Sequence, residues 1–373
     1  MARGPGLQAA EVLPEADRLE GFPHPRETRD LFGHAEAERG LAQAFASGRM
    51  HHGWLLTGPE GIGKATLAYR LARHVLAAPE ERDVFGDSLS VPEECAAARQ
   101  ILAQAHPGLL VLRRPYDTKA KRFATTLPID EVRRLKSFLG LTGGEGQWRV
   151  VIVDTADDLN VNAANALLKS LEEPPTRALF ILVSSEPGRL LPTIRSRCRR
   201  LDLKPLDAAN LRRAAEAALI AAEKDAPAPD AWPRLIRLAS GSVRRCLQLF
   251  ASGGLELLGE IEGLLRLLPK VDWPAAHTLS DSMALVAQEQ RFAAFFDLLL
   301  EMLARLVHVR TSGVGEAEEL ALAQRLIKPD ALPRWADLWE TLVRERSDAE
   351  SLNLDRKSLV LSAIARLEAA ARG

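Results

Sequence analysis

Gly58, Gly63 and Lys64 stand in the spacing G-x-x-x-x-G-K, inside the stretch GPEGIGKATLAYRLARHVL (58–76). Glycines let backbone N–H groups turn toward phosphate oxygens, a following helix adds partial positive charge, and the lysine reaches the outer phosphates. Gly58, Gly61, Gly63 and Lys64 are therefore candidates for holding a nucleotide. Phosphoryl transfer needs more. A hydroxyl normally follows the lysine to ligate magnesium, and here that residue is Ala65. Thr66 carries a hydroxyl one position later, but one step along a helix turns about 100°, so it does not simply take over. A strand ending in an aspartate should lie beside the loop, and RVVIV (149–153) ends in Asp154, suited to hold a magnesium-bound water. The next residue is Thr155 where a water-activating glutamate belongs, and threonine is no general base near neutral pH. Asp157 and Asp158 could instead cap the helix that begins near Val161. These residues predict a loop able to bind nucleotide, with hydrolysis impaired at two points. The plain alternative is a chance glycine turn, against which strand, spacing and lysine stand together.

The elements that must position these groups are legible from residue 29 to 205. GWLLT (53–57), LLVL (109–112), RVVIV (149–153) and LFILV (179–183) read as buried strands. Between them run helical stripes: Leu67, Leu71 and Val75; then Ile129, Val132, Leu135 and Leu139; then Val161, Asn165, Leu168 and Leu171. Alternating strands and helices predict a parallel sheet covered on both faces. After Pro205 the strands stop. Residues 206–254 read as a small helical lid and 255–373 as a larger helical domain, in which FAAFFDLLLEMLARLVHV (292–309) is apolar around most of its girth and so buried. Residues 1–28, rich in charge, Pro and Gly, read as a loose arm.

With 373 residues, net charge −1 and 27% charged residues, the bulk composition does not demand nucleic acid as a partner. Cys95, Cys198 and Cys246 lie far apart, which predicts neither zinc nor a disulfide framework, and the latter two read as buried apolar residues. No apolar run reaches membrane-spanning length and the N-terminus lacks a signal pattern, so a cytoplasmic protein is expected.

NAANALLKSLEEPP (162–175) followed by FILVSSEPGRLLPTIRSRC (180–198) resembles the clamp-loader branch of the AAA+ ATPases, and within it the family of delta-prime subunits of bacterial DNA polymerase III. RDLFGH (29–34), GRMHHGWLLTGPEGIGK (48–64), GSVRR (241–245) and NLDRKSL (353–359) extend the resemblance in the right order over most of the chain. It implies an AAA+ α/β core over 29–205, a lid over 206–254 and an oligomerising collar over 255–373. Gly58–Gly63, Lys64, Thr66 and Asp154 match a degenerate site that would take ATP or ADP. Ser184 or Ser185 ends the strand of the first sensor, and RDLFGH matches the adenine-pocket segment. Arg197, in S-R-C, matches the arginine finger that acts on a neighbouring subunit's nucleotide; Arg244, in G-S-x-R, matches the second sensor. The resemblance also implies partners: motor subunits of the gamma/tau type and a clamp-opening delta subunit in a pentameric ring, the sliding clamp, and primer-template DNA through the complex, with no membrane. Many relatives carry a four-cysteine zinc module after the first helix; with only Cys95 in 77–105, no zinc is expected.

Plainer readings stand beside these. Arg244 could be a surface residue at a helix start, and the Glu172–Glu173 pair could serve only the turn that Pro174 imposes. RRPYDTKAKR (113–122) is either a solvated loop or a DNA-lining segment, as are Arg133 and Arg134 on the next helix. Two other classes compete. A self-sufficient motor, such as a gamma/tau subunit or a branch-migration helicase, needs the groups that Ala65 and Thr155 replace. A nucleotide kinase has no use for S-R-C, LEEPP or the long helical C-terminus.

Overall fold

The computed structural model describes residues 13–83, 86–140, 147–285, 288–352 and 354–372; the first part of the expected arm, and Asn353, lie outside them. The run GWLLT forms β1 (Gly53–Thr57), buried along its whole length. Beside it lie β2 (Leu109–Leu112), β5 (Arg149–Val153), β6 (Ala178–Ser184) and β7 (Arg199–Asp202), in the parallel order β2-β5-β6-β1-β7. A helix, α3 (Ala96–Leu102), precedes β2, and a short antiparallel hairpin, β3 (Tyr116–Asp117) and β4 (Arg122–Phe123), stands apart from this sheet.

Successive strand residues face opposite ways, so the apolar runs feed two cores. Val151, Val153, Phe180 and Leu182 pack on α4 (Ile129–Gly140) and α5 (Val161–Glu172) through Val132, Leu135, Leu167 and Leu171. Val150, Ile152, Ile181 and Val183 face α1 (Ala35–Ala46) and α2 (Lys64–Leu76) through Leu41, Leu67, Leu71 and Val75. The expected stripe of α5 is shifted: Ala163, Ala164, Leu167 and Leu171 are buried, whereas Val161 is 67% exposed in the first turn. Small alanines at 163 and 164 let the helix approach the sheet, which a stripe drawn through the larger residues overlooks.

Register then makes the site. Thr57 pairs with Ser184 and Val153 with Leu182, so the chain leaves β1, β5 and β6 side by side at their carboxyl ends. This is where ligands gather in open parallel sheets.

The expected loose arm is corrected over 13–28. His24 is fully buried, and Phe22, Glu15 and Arg26 are nearly so. Arg26 grips Glu15 with two bonds of 2.6 and 2.8 Å, His24 lies 2.9 Å from Asp17, and Arg113 binds Asp17 at 3.1 Å. The charge-rich composition reads as a solvated tail, but its charges pair with each other and with Arg113.

By contacts the chain divides into two compact units, one of residues up to 228 with 236–245 and the other of 229–235 with 246 onward. The residues expected as a lid, which carry α7 (Ala208–Ala221), α8 (Trp232–Ala239) and α9 (Val243–Ala251), are shared between them. The second unit is all helical: α10 (Gly254–Leu267), α11 (Trp273–Asp281), α12 (Glu289–Ser312), α13 (Ala317–Leu326), α14 (Leu332–Leu352) and α15 (Arg356–Arg372). Within it α12 is the central element, burying Phe295, Phe296, Leu299 and Leu303 among α10, α13 and α14. Among the described residues no helix is long and apolar enough to cross a membrane.

Candidate nucleotide site and arginine finger

The loop after β1 turns through glycines with positive φ: Gly58 at 137°, Gly61 at 75° and Gly63 at 106°. Two of them also have no room for a side chain. A Cβ on Gly58 would strike the Leu203 carbonyl, and one on Gly61 would strike Arg244 and Ser242. Lys64, the first residue of α2, is 4% exposed. Its Nζ donates to the carbonyls of Gly58 (2.7 Å) and Pro59 (2.6 Å) and to Ser185 Oγ (2.9 Å). Burial lowers this ammonium to about 8, against the pull of Asp154, Glu60 and Asp157.

RDLFGH lies where the sequence places it, against the loop. His34 Nε2 is 2.7 Å from the Ile62 carbonyl, and Leu31 and His34 flank Gly63. Burial holds the His34 imidazole below its ordinary pKa. On the other side the Gly61 carbonyl accepts the N–H of Val243 (2.9 Å) and of Arg244 (3.3 Å), while Arg244 Nε meets Glu60 at 3.2 Å. The G-S-x-R arginine is thus brought to the loop, paired with a loop carboxylate.

Asp154 sits at the end of β5, and burial, with Asp17 adding repulsion, pushes its carboxyl up to about 7 despite Lys64, Arg244 and Arg113. Thr155 turns its hydroxyl to Asp158 (3.1 Å), which also holds Arg114 Nε at 2.9 Å. The aspartates do not cap α5 as the sequence allowed; Asn160 does, accepting the Ala163 N–H at 2.9 Å. Asp157 instead braces the end of β6, accepting from Ser184 Oγ (2.5 Å) and from the N–H groups of Ser185 (2.6 Å) and Glu186 (3.1 Å). That separates the two sensor candidates: Ser184 faces Asp157, and Ser185 faces Lys64. Thr66 is half-buried on α2 beside Ala65.

A phosphate group fits this cradle on the lysine side, since Nζ can exchange two carbonyl partners for phosphate oxygens. A magnesium ion finds one ligand fewer than the usual arrangement offers, because Ala65, which follows the lysine, carries no oxygen on its side chain.

Arg197 lies elsewhere. It ends α6 (Pro192–Arg197), and its carbonyl borders Gly53, at the opposite end of β1 from the loop. Five strand residues separate the two ends by roughly 15 Å. Its Nη2 meets Glu172 at 2.7 Å, and its Nη1 donates to the Thr193 carbonyl at 3.0 Å. Glu172, first of the acidic pair in LEEPP, thus has a partner that the helix-ending reading did not foresee.

The basic stretch is divided. Arg113 turns inward to Glu15 and Asp17, Arg114 binds Asp158, and Arg133 and Arg134 pair with Asp130 and Glu131 at 2.6 Å. The three cysteines are buried, and burial pushes the Cys198 and Cys246 thiols up to about 11. Among the described residues no three His, Cys, Asp or Glu side chains gather as metal ligands would.

The DNA polymerase III, delta subunit family matches residues 33–207. The DNA polymerase III subunit delta' of Pseudomonas aeruginosa is 33% identical over 312 residues, covering 83% of this chain and 89% of that protein. The chain belongs to the DNA polymerase III delta' family. Other relatives match parts of it. The delta' subunit of Escherichia coli is 36% identical over 166 residues, 44% of this chain and 46% of that one. The tau subunit of Salmonella typhimurium is 30% identical over 225 residues, and the match spans 60% of this chain but 33% of tau. Among solved structures, a gamma subunit-related protein of Thermotoga maritima covers 89% of this chain at 19% identity, with a TM-score of 0.42. In this delta' family member the core is a five-stranded parallel sheet covered by helices, followed by an all-helical region.

Proposed function

We propose that this delta' family member is a non-motor subunit of a clamp loader, helping to place a sliding clamp on primer-template DNA. Its own site would bind ATP or ADP passively through Lys64 and the Gly58–Gly63 loop. Arg197 would act in trans on the nucleotide of a neighbouring gamma/tau-type motor, in a pentameric ring that also holds a clamp-opening delta subunit. Residues 255–373 would form part of its collar, and the setting would be cytoplasmic. One observation carries the reading: Arg197 lies at the far end of β1 from Lys64, so it cannot serve its own loop. The residues at the metal side of that loop, Ala65 in place of a hydroxyl and Thr155 in place of a glutamate, support it.

Guanidinium offers a planar, permanently charged fork to phosphate oxygens. An arginine finger supplied in trans contributes about 10³–10⁵ in rate, roughly 4–7 kcal/mol of barrier. In a reconstituted complex, Arg197→Ala should leave assembly intact and lower the DNA- and clamp-stimulated ATPase. The loss should be partial, because other interfaces keep their own fingers, and Lys64→Ala should do much less. Unchanged activity with Arg197→Ala, together with loss of activity in Lys64→Ala, would sink the trans role. The likeness to tau favours a motor as the second reading; steady ATP turnover by the isolated chain would support it.

A further inference from the structure

We propose that the β3–β4 hairpin is a binding site for the sugar–phosphate backbone of DNA. The proposal rests on the reading of this chain as a subunit that works on primer-template DNA, and it names a surface for that contact.

Arg113 and Arg114, which open the basic stretch, are consumed by carboxylates inside the fold. The chain then leaves the core as YDTKAKRF, folding back so that Tyr116 pairs with Phe123 and Asp117 with Arg122. A two-stranded ribbon of this size is marginal alone. This one is clasped at its base by the rings of Tyr116 and Phe123, 5.1 Å apart and edge to face. Its turn is tied by Asp117, whose Oδ1 accepts the N–H groups of Lys119 (2.8 Å) and Ala120 (3.0 Å). Those bonds hold the carboxyl below its ordinary pKa. The hairpin's one acid is thereby committed to the turn that presents Lys119, Lys121 and Arg122.

All six residues from 117 to 122 are exposed. Among the described residues, Lys119, Lys121 and Arg122 form no ion pair within 4 Å, although Arg122 lies near enough to Asp117 to stabilise its charge. Their neighbours on α4 differ, since Arg133 and Arg134 each have a carboxylate at 2.6 Å. With a net charge of −1, the chain has no general attraction for a polyanion, and any attraction must come from a local cluster. Residues 119–122 span at most about 10 Å, over which one DNA strand presents about three phosphates. The aromatic rings are engaged with each other and no amide side chain stands at the tip. The contact therefore reads charge and not base sequence.

The test changes the three cations together, Lys119→Ser, Lys121→Ser and Arg122→Ser. Binding of a fluorescent primer-template is measured between 50 and 200 mM salt, in the reconstituted complex and with the full chain alone. Three phosphate contacts should weaken roughly 40-fold over that fourfold rise in salt. The variant should therefore bind more weakly at low salt, with a log–log salt slope shallower by about three, equally on two unrelated sequences and with an unchanged melting temperature. Lys119→Arg with Lys121→Arg should bind like the native chain. If the native chain fails to assemble with gamma/tau-type and delta subunits, the proposed function falls, and the chain-alone arm still decides the hairpin. Equal affinity and slope for native and variant chains in both arms overturn the proposal. So does a variant that binds DNA normally but loses a subunit from the complex, because the hairpin would then be a protein contact.

Discussion

At the scale of single residues, Glu172 carries a consequence that its place in LEEPP conceals. Its carboxylate lies 2.7 Å from Arg197 Nη2, while the Thr193 carbonyl takes Nη1. The pair is substantially exposed, so as a stabilising contact it is worth less than about 1 kcal/mol. Its effect on aim is a different matter, because an arginine that must meet a phosphoryl group gains from a fixed starting geometry. Glu172→Gln keeps the shape and removes the charge. It should leave the melting temperature of the chain unchanged and lower the ATPase of the assembled complex several-fold, less than Arg197→Ala does, without altering nucleotide KM. Paired melting curves and steady-state kinetics check both halves. A rise in turnover would mean that the carboxylate holds the finger back.

At the scale of elements, the sheet was legible because β1, β2, β5 and β6 are apolar runs, with β1, β5 and β6 buried along most of their length, and helices lie between them. β7 was not, because Arg199–Asp202 is an edge strand of mostly exposed polar residues with neither signal. The site followed the same division. Loop, lysine and Asp154 are fixed by spacing, whereas the bracing role of Asp157 and the partner of Arg197 depend on side chains far apart in sequence. The segment 13–28 misled for a physical reason: unpaired, its charges would keep it in water, and paired they bury it. Arg26, Arg113 and His24 outweigh the cost of burial and hold the Glu15 carboxyl down to about 2, and Asp17 is lowered as well. A carboxyl held below its ordinary 4.5 contributes stability above that pH and loses it as pH falls toward 2. Hydrogen exchange should therefore show residues 13–28 losing protection across that window. Glu15→Gln should lower their protection at pH 7 and flatten the acid dependence; an unchanged profile would mean that Glu15 does not hold the segment.

At the scale of the whole molecule, the loop and the lid segment are joined through the Gly61 carbonyl, Val243, Arg244 and Glu60. Lys64 is satisfied by its own loop and Ser185. On the proposed reading, a nucleotide entering such a site would gain phosphate contacts from Lys64 and the start of α2, but no metal bridge through residue 65, because Ala65 carries no hydroxyl. Any ligand that binds only the folded chain raises its stability by RT ln(1 + [L]/Kd), about 2.7 kcal/mol at a hundred times Kd. ADP should therefore raise the melting temperature of the isolated chain, and the rise should be the same in excess magnesium and in EDTA. Lys64→Ala should abolish it, and ATP incubated with the native chain should remain unhydrolysed above the Lys64→Ala background. A metal-dependent site behaves otherwise, since magnesium would then tighten binding and widen the shift at equal ADP. If the rise is clearly larger with magnesium than with EDTA, the metal side of this loop is intact. The site would then be a working one despite Ala65 and Thr155.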